Sequence, residues 1–187
     1  MRIWSNTTSL VPRQYDCGFC GLLVASDKGY CTGDLPKLTI HICPNCWQPT
    51  YFSRSENLQV PAATPGNDVR SLPSDVNALY NEARKCVSVG ANTASVLACR
   101  KLLMNIAVAQ GAASGASFVS YVNYLSDKGF VPPNGRGWVD RIRNKGNEAN
   151  HEIHLMTKDD AEELILFSEM LLKFIFEFPA RVPGPKT

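Results

Sequence analysis

The chain has 187 residues, 44% of them hydrophobic and 19% charged, which is the composition of an ordinary globular protein long enough for one or two cores. A net charge of +2 excludes a globally basic nucleic-acid binder and gives no electrostatic case for a membrane surface, so any basic patch has to be local. The apolar runs are short or broken by charge, and the opening Met-Arg-Ile-Trp-Ser-Asn-Thr-Thr lacks the apolar core of a signal peptide, so a cytoplasmic protein with no membrane association is expected.

The first predicted element is built on cysteine. Seven cysteines, an odd number, argue against a complete set of intrachain disulfides. Four of them pair by spacing instead, as Cys17-Gly-Phe-Cys20 and Cys43-Pro-Asn-Cys46. Four thiolates in this pattern surround one tetrahedral ion and leave no position for water, so one structural Zn2+ held by Cys17, Cys20, Cys43 and Cys46 is expected, with iron or a redox disulfide as the alternatives. Cys31 and His41 lie between the pairs, break the paired spacing and stand as spare ligands. Leu22-Leu23-Val24 follows the first pair, Leu38-Thr-Ile-His-Ile-Cys43 alternates into the second, and Tyr51 and Phe52 begin another short strand. Residues 1–52 therefore read as a zinc ribbon, too small to stand without its metal.

Residues 53–73 hold three prolines, one in a Pro-Gly pair, and no helical period, so they read as a linker or an extended packing arm. Helical spacing begins at Ser74, a candidate cap, with Val76, Leu79, Tyr80, Ala83 and Val87 on one face and Gly90 as the stop. Asn92 is the candidate cap of the next helix, which carries Val96, Leu97, Leu103 and Ile106 and is interrupted by Arg100 and Lys101. Arg100 either faces solvent, pairs with a carboxylate or reaches a site. Phe118, Tyr121, Val122 and Leu125 mark a third helix closed by Lys128-Gly129, and Val131-Pro-Pro-Asn-Gly135 forces a turn. Thr157-Lys-Asp-Asp160 has the form of a capping box before a long helix bearing Leu164, Ile165, Leu171, Leu172, Ile175 and Phe178. The expected fold class is mainly α: a small zinc ribbon, then an antiparallel bundle of about five helices over residues 74–180, then a tail at 181–187.

Polar chemistry concentrates between the turn and the last helix, in Gly137 to His154, which holds two arginines, three asparagines and two histidines. Arg143, Asn147 and His151 are spaced four apart and share a face if a helix runs through them. A permanent cation, an amide and an imidazole that titrates near neutrality form a set able to handle a phosphodiester. The structural alternative is a helix C-cap at Gly146-Asn147, with His151 a satisfied core histidine.

Pro73-Ser-Asp-Val76, Tyr80-Asn-Glu-Ala83, the helix from Ala94 to Leu103 with Arg100, Arg143-Asn-Lys-Gly-Asn-Glu-Ala-Asn-His151 and the last helix from Asp160 to Pro179 resemble the domain-of-unknown-function family 4145. That resemblance implies a helical bundle of the HEPN superfamily, many of whose members are metal-independent ribonucleases or noncatalytic modules of bacterial conflict and antiphage systems. It implies a homodimer with both motifs lining one cleft, RNA or another nucleic acid as partner, and Arg143, Asn147 and His151 as the catalytic set. Active HEPN ribonucleases place the histidine closer to the arginine than the seven residues that separate Arg143 from His151 here, and His154 lies further still. The competing expectation is a noncatalytic adaptor that binds a nucleotide or a partner protein.

Overall fold

The computed structural model describes residues 4–33, 38–53, 57–132, 135, 137–142 and 155–182. The chain packs as two compact units, Met1–Thr64 and Pro65–Thr187.

The first unit is an antiparallel sheet of five strands in sequential order, β1 (Thr8–Asp16), β2 (Leu23–Cys31), β3 (Thr39–Ile42), β4 (Pro49–Ser53) and β5 (Leu58–Val60). This corrects the mainly α expectation: among the described residues 47% are helical and 19% lie in strands, so the protein is a sheet unit joined to a helical unit. The physical reason lies in β1 and β5. Four steps along β1 from Ser9 to Arg13 face two along β2 from Lys28 to Ser26, a bulge that carries Pro12 and erases the alternation expected of a strand. β5 is three residues long and sits inside the proline-rich stretch 53–73, paired to β4 through Tyr51 opposite Val60. The unit's core is small. Tyr15, Val24 and Phe52 pack with Cys17 and Cys43, and the Tyr15 and Phe52 rings meet edge to face at 5.0 Å.

The second unit is helical: α1 (Ser74–Ser88), α2 (Asn92–Ala109), α3 (Phe118–Asp127), helical residues 137–142 (α4), α5 (Lys158–Leu172) and the short α6 (Phe178–Arg181). α2 is the centre, packing against α1, α3 and α5, and it buries Val96, Cys99, Leu102, Leu103 and Ile106. The helix starts are only partly those expected. Pro73 and Ala91 occupy the N-cap positions of α1 and α2, so Ser74 and Asn92 are the first helical residues and cap nothing with their side chains. α3 is capped by Ser117, whose Oγ accepts the Ser120 amide at 3.2 Å. The Thr157 capping box forms: its Oγ1 accepts the Asp160 amide at 3.2 Å, and the Asp160 carboxylate accepts the Thr157 amide at 3.0 Å.

Residues 65–70 run as an extended strap over α1 and α5, and buried charge fastens it. Arg84 on α1 donates to the Pro65 and Gly66 carbonyls, both at 2.9 Å, and to Asp68 at 2.5 Å. Glu169 on α5 accepts the Asn67 amide at 2.8 Å and its side-chain amide at 3.0 Å, and pairs with Lys173. Glu177 accepts the Arg70 amide at 3.1 Å and pairs with Arg181. Gly66 has a φ of +70°, and a Cβ there would meet Glu169, Ile165 and Tyr80 side-chain atoms at 2.9 Å, so any other residue would both strain the backbone and push those side chains aside.

The two acidic anchors depend on a change of helix type. Glu169 and Glu177 are eight apart, and at roughly 100° per residue an α-helix would turn the second well away from the first. Lys173–Glu177 form a π-helical turn, whose wider i→i+5 bonding advances fewer degrees per residue and returns Glu177 to the strap's side. Among the described residues no helix is long and apolar enough to cross a membrane.

Candidate functional site

The two Cys-x-x-Cys segments fold into matching loops, one at the β1–β2 turn and one at the β3–β4 turn. In the first, the Gly21 amide donates to the Cys17 carbonyl at 2.8 Å and the Cys17 amide to the Leu22 carbonyl at 3.0 Å. In the second, the Trp47 amide donates to the Cys43 carbonyl at 2.9 Å and the Cys43 amide to the Gln48 carbonyl at 3.0 Å. The residue after the second cysteine takes a positive φ in both, 70° at Gly21 and 60° at Trp47. Each loop therefore curls its two sulfurs toward one point. The sequence dictates this locally, since two intervening residues leave room for one tight turn.

All four sulfurs of Cys17, Cys20, Cys43 and Cys46 lie within 4.8 Å of one another, and they are the only such group among the described residues. Cys17 and Cys46 sulfurs stand 3.7 Å apart and those of Cys20 and Cys43 stand 3.9 Å apart. Metal–sulfur bonds of about 2.3 Å in a tetrahedral shell put neighbouring sulfurs about 3.8 Å apart, so the cage matches a tetrahedral ion. Backbone N–H groups already point at the sulfurs, the Cys46 amide meeting Cys43 Sγ at 3.5 Å. The charge balance also fits a cation. Burial pushes the Cys46 thiol up to about 12, and the crowding of Cys43, Cys17 and Cys20 adds to it. At Cys20 burial pushes the same way, but the Leu22 amide, Asn45 and the neighbouring thiols outweigh it and bring the value down to about 7. Four thiolates gather here only with a positive ion among them, and the four cysteines could hold one.

The two spare ligands stand elsewhere. Cys31 is exposed at the end of β2, and His41 is buried with its Nδ1 donating to the Ser26 carbonyl at 3.1 Å.

In the helical unit, Val96, Phe118, Ile142, Met156 and Leu164 line an apolar pocket with Arg100, Asp160 and Glu163 at its polar side. Arg100 stacks its guanidinium 4.5 Å from the Phe118 ring centre, and burial holds its pKa below the usual arginine value. Glu163 takes an ion pair from Arg141 at 3.0 Å. The Met156 amide donates to Thr93 Oγ1 at 3.0 Å and ties the approach to α5 onto the start of α2. Arg143, Asn147, His151 and His154 lie outside the described residues. The pocket brings together Arg100, Asp160 and Glu163, of which the sequence marked Arg100 as able to reach a site, Asp160 only as a cap and Glu163 not at all; the i, i+3 spacing of Asp160 and Glu163 on a capped helix was the available signal.

The family model described as "Domain of unknown function (DUF4145)" matches residues 81–186. The chain belongs to the DUF4145 family. The match covers α2 to α6 and most of α1, together with the Arg143 to His151 series, while the cysteine cage lies ahead of it. No curated protein and no solved structure matches the chain. In this DUF4145 protein, then, the strap-bound helical unit is the family's part and the four-cysteine sheet is a separate unit in front of it.

Proposed function

We propose that this DUF4145 protein is a nucleic-acid-associated module of bacterial defence type, with a HEPN-like helical unit and a sheet unit braced by one structural zinc. The observation that carries the reading is the position of the Arg143, Asn147 and His151 series. It falls inside the matched family stretch, between α4 and α5, and the described residues near its two ends, Ile142 and Met156, both line the helical pocket. Resemblance to HEPN proteins supplies the chemistry. Arg143 neutralises charge gathering on a phosphate, His151 moves a proton at the ribose 2′-hydroxyl, and Asn147 orients the imidazole or the phosphate. The protein acts as a homodimer whose two motifs share one cleft, in the cytoplasm.

Zinc is the ion that four thiolates at tetrahedral separations favour. Bound by Cys17, Cys20, Cys43 and Cys46 it supplies a fourfold cross-link and no open position for hydrolysis. One zinc per chain, measured on purified protein, is the expected content; an iron chromophore would replace that assignment.

The deciding experiment is cleavage of a labelled RNA pool by zinc-loaded protein without added divalent metal, beside His151→Ala and Arg143→Ala. Cleavage that leaves 2′,3′-cyclic phosphate ends and disappears in both variants supports a ribonuclease. Absence of cleavage from folded protein leaves the noncatalytic adaptor, which is the second reading. One observation favours that second reading: the charged groups beside the helical pocket are already engaged, Arg141 with Glu163 and Arg100 with Phe118. As an adaptor the protein binds a nucleotide or a partner protein, and His151→Ala then lowers the melting temperature or the dimer fraction with no turnover to lose.

A further inference from the structure

The sheet unit carries a second cavity, away from the cysteine cage, of about 290 Å3. It opens where β1 bulges from β2, with Leu10, Val11 and Pro12 of the bulge on one side, Arg13, His41 and Phe52 on the other, and Ser9, Cys31 and Thr39 completing its rim. That volume is near the lower end of small-molecule sites, and such sites are mostly apolar with a few placed polar groups. Arg13 is the placed group. Its guanidinium lies 3.9 Å over the centre of the Phe52 ring, and Phe52 is itself buried at 1% exposure.

Stacking of this kind fixes the plane of the guanidinium and covers one face, leaving the N–H edge to meet a partner. Among the described residues Arg13 has no hydrogen bond and no ion pair, in contrast to Arg84, which spends its donors on Pro65, Gly66, Asp68 and Asn81. No carboxylate lines the cavity. His41 is held by its bond to Ser26 and packs edge-on to Phe52 at 5.4 Å, so the wall behind the arginine is rigid. A half-buried guanidinium with a free edge, at the side of a cavity of mixed polar and apolar walls without a carboxylate, matches an oxyanion carried on a partly apolar body. We propose that this cavity binds a small organic anion, its carboxylate or phosphate gripped by Arg13 and its apolar part seated against Leu10, Val11 and Pro12.

The test titrates full-length zinc-loaded protein with phenyl phosphate, benzoate and uncharged benzyl alcohol, by calorimetry and by the Arg13 Nε–H signal in NMR spectra. Binding of one or both anions with a shift of that signal is expected, with benzyl alcohol at least roughly tenfold weaker. Phenyl phosphate alone identifies a phosphate ester site, and benzoate alone a carboxylate site. Arg13→Gln should weaken binding roughly tenfold or more, and Arg13→Lys less, because lysine keeps the charge and loses the fork. An Arg13 signal unmoved by either anion up to about 10 mM, or benzyl alcohol binding as well as the anions, overturns the proposal. So does unchanged affinity in Arg13→Gln with full zinc content; if that variant fails to fold, the wild-type Arg13 signal decides.

Discussion

Glu169 is 6% exposed and still charged, because its neighbours outweigh its burial. Burial alone would raise its pKa, but the Lys173 ammonium and the two Asn67 donors lower it below the ordinary 4.5. A carboxyl depressed in the folded state contributes stability above its unfolded value, and that contribution is lost as pH falls through the folded value. Glu169→Gln should therefore cost about 2 kcal/mol near neutral pH. In denaturant unfolding followed at several pH values, the gap between variant and wild type should close below pH 4.5. A gap that stays constant down to acid pH would show that Glu169 acts through shape alone. At the cysteine loops the residue argument is conformational. Gly21 and Trp47 take the same left-handed position, but a substituent at Gly21 meets nothing within 4 Å, so its cost is purely that of the backbone. Gly21→Ala is expected to lower stability by about 1 kcal/mol with zinc stoichiometry unchanged, read by thermal melting. The cysteine cage was legible in the sequence because two intervening residues define a loop without help from elsewhere. Arg13 was not legible, since its partner Phe52 stands on β4, and only the folded sheet brings the two together.

At the scale of elements, local chemistry read well where a side chain makes its own bond and poorly where the backbone decides. Thr157 and Asp160 carry the reciprocal bonds of a capping box and sit where the sequence put them. Thr157→Ala should cost about 1 kcal/mol, and Thr157→Ser should restore most of it. The measurement is denaturant midpoint at fixed slope; an alanine variant as stable as wild type would mean that α5 is held wholly by its packing. Ser74 and Asn92 have the right chemistry for caps, yet the chain enters each helix one residue earlier, through Pro73 and Ala91. The strap at 65–70 shows the same limit. It lies in the stretch read as a linker or an extended packing arm, and what stayed hidden are its anchors, Arg84, Glu169 and Glu177, residues that sequence periodicity assigns simply to the polar side of a helix. Helical spacing did reveal α1, α2, α3 and α5, because their apolar residues recur with the helical period. The bulged β1 and the three-residue β5 have no such period, and with them went the sheet content.

For the whole molecule, the two units draw on different sources of stability. The helical unit buries a continuous core from Val69 to Leu172, whereas the sheet unit buries little beyond Tyr15, Val24 and Phe52 around its cysteines. A strong chelator should therefore abolish the sheet unit's ordered signals while most of the far-UV helical signal persists. Cys43→Ser should do the same without chelator. Loss of helix and sheet together in a single transition would contradict a metal requirement confined to the first unit. The π turn at Lys173–Glu177 has a consequence for how this chain can change length. A π turn is an α-helix holding one surplus residue, so deleting a single residue there puts the glutamate seven positions after Glu169, roughly 20° short of two full turns, and keeps it on the strap's side. A one-residue gap in this stretch therefore leaves the anchor facing the Arg70 amide, whereas a second deleted residue turns it roughly a third of a turn away. Two family members that differ by such a gap would hold the chain ahead of α1 in the same way, one through a π turn and the other through an unbroken α-helix.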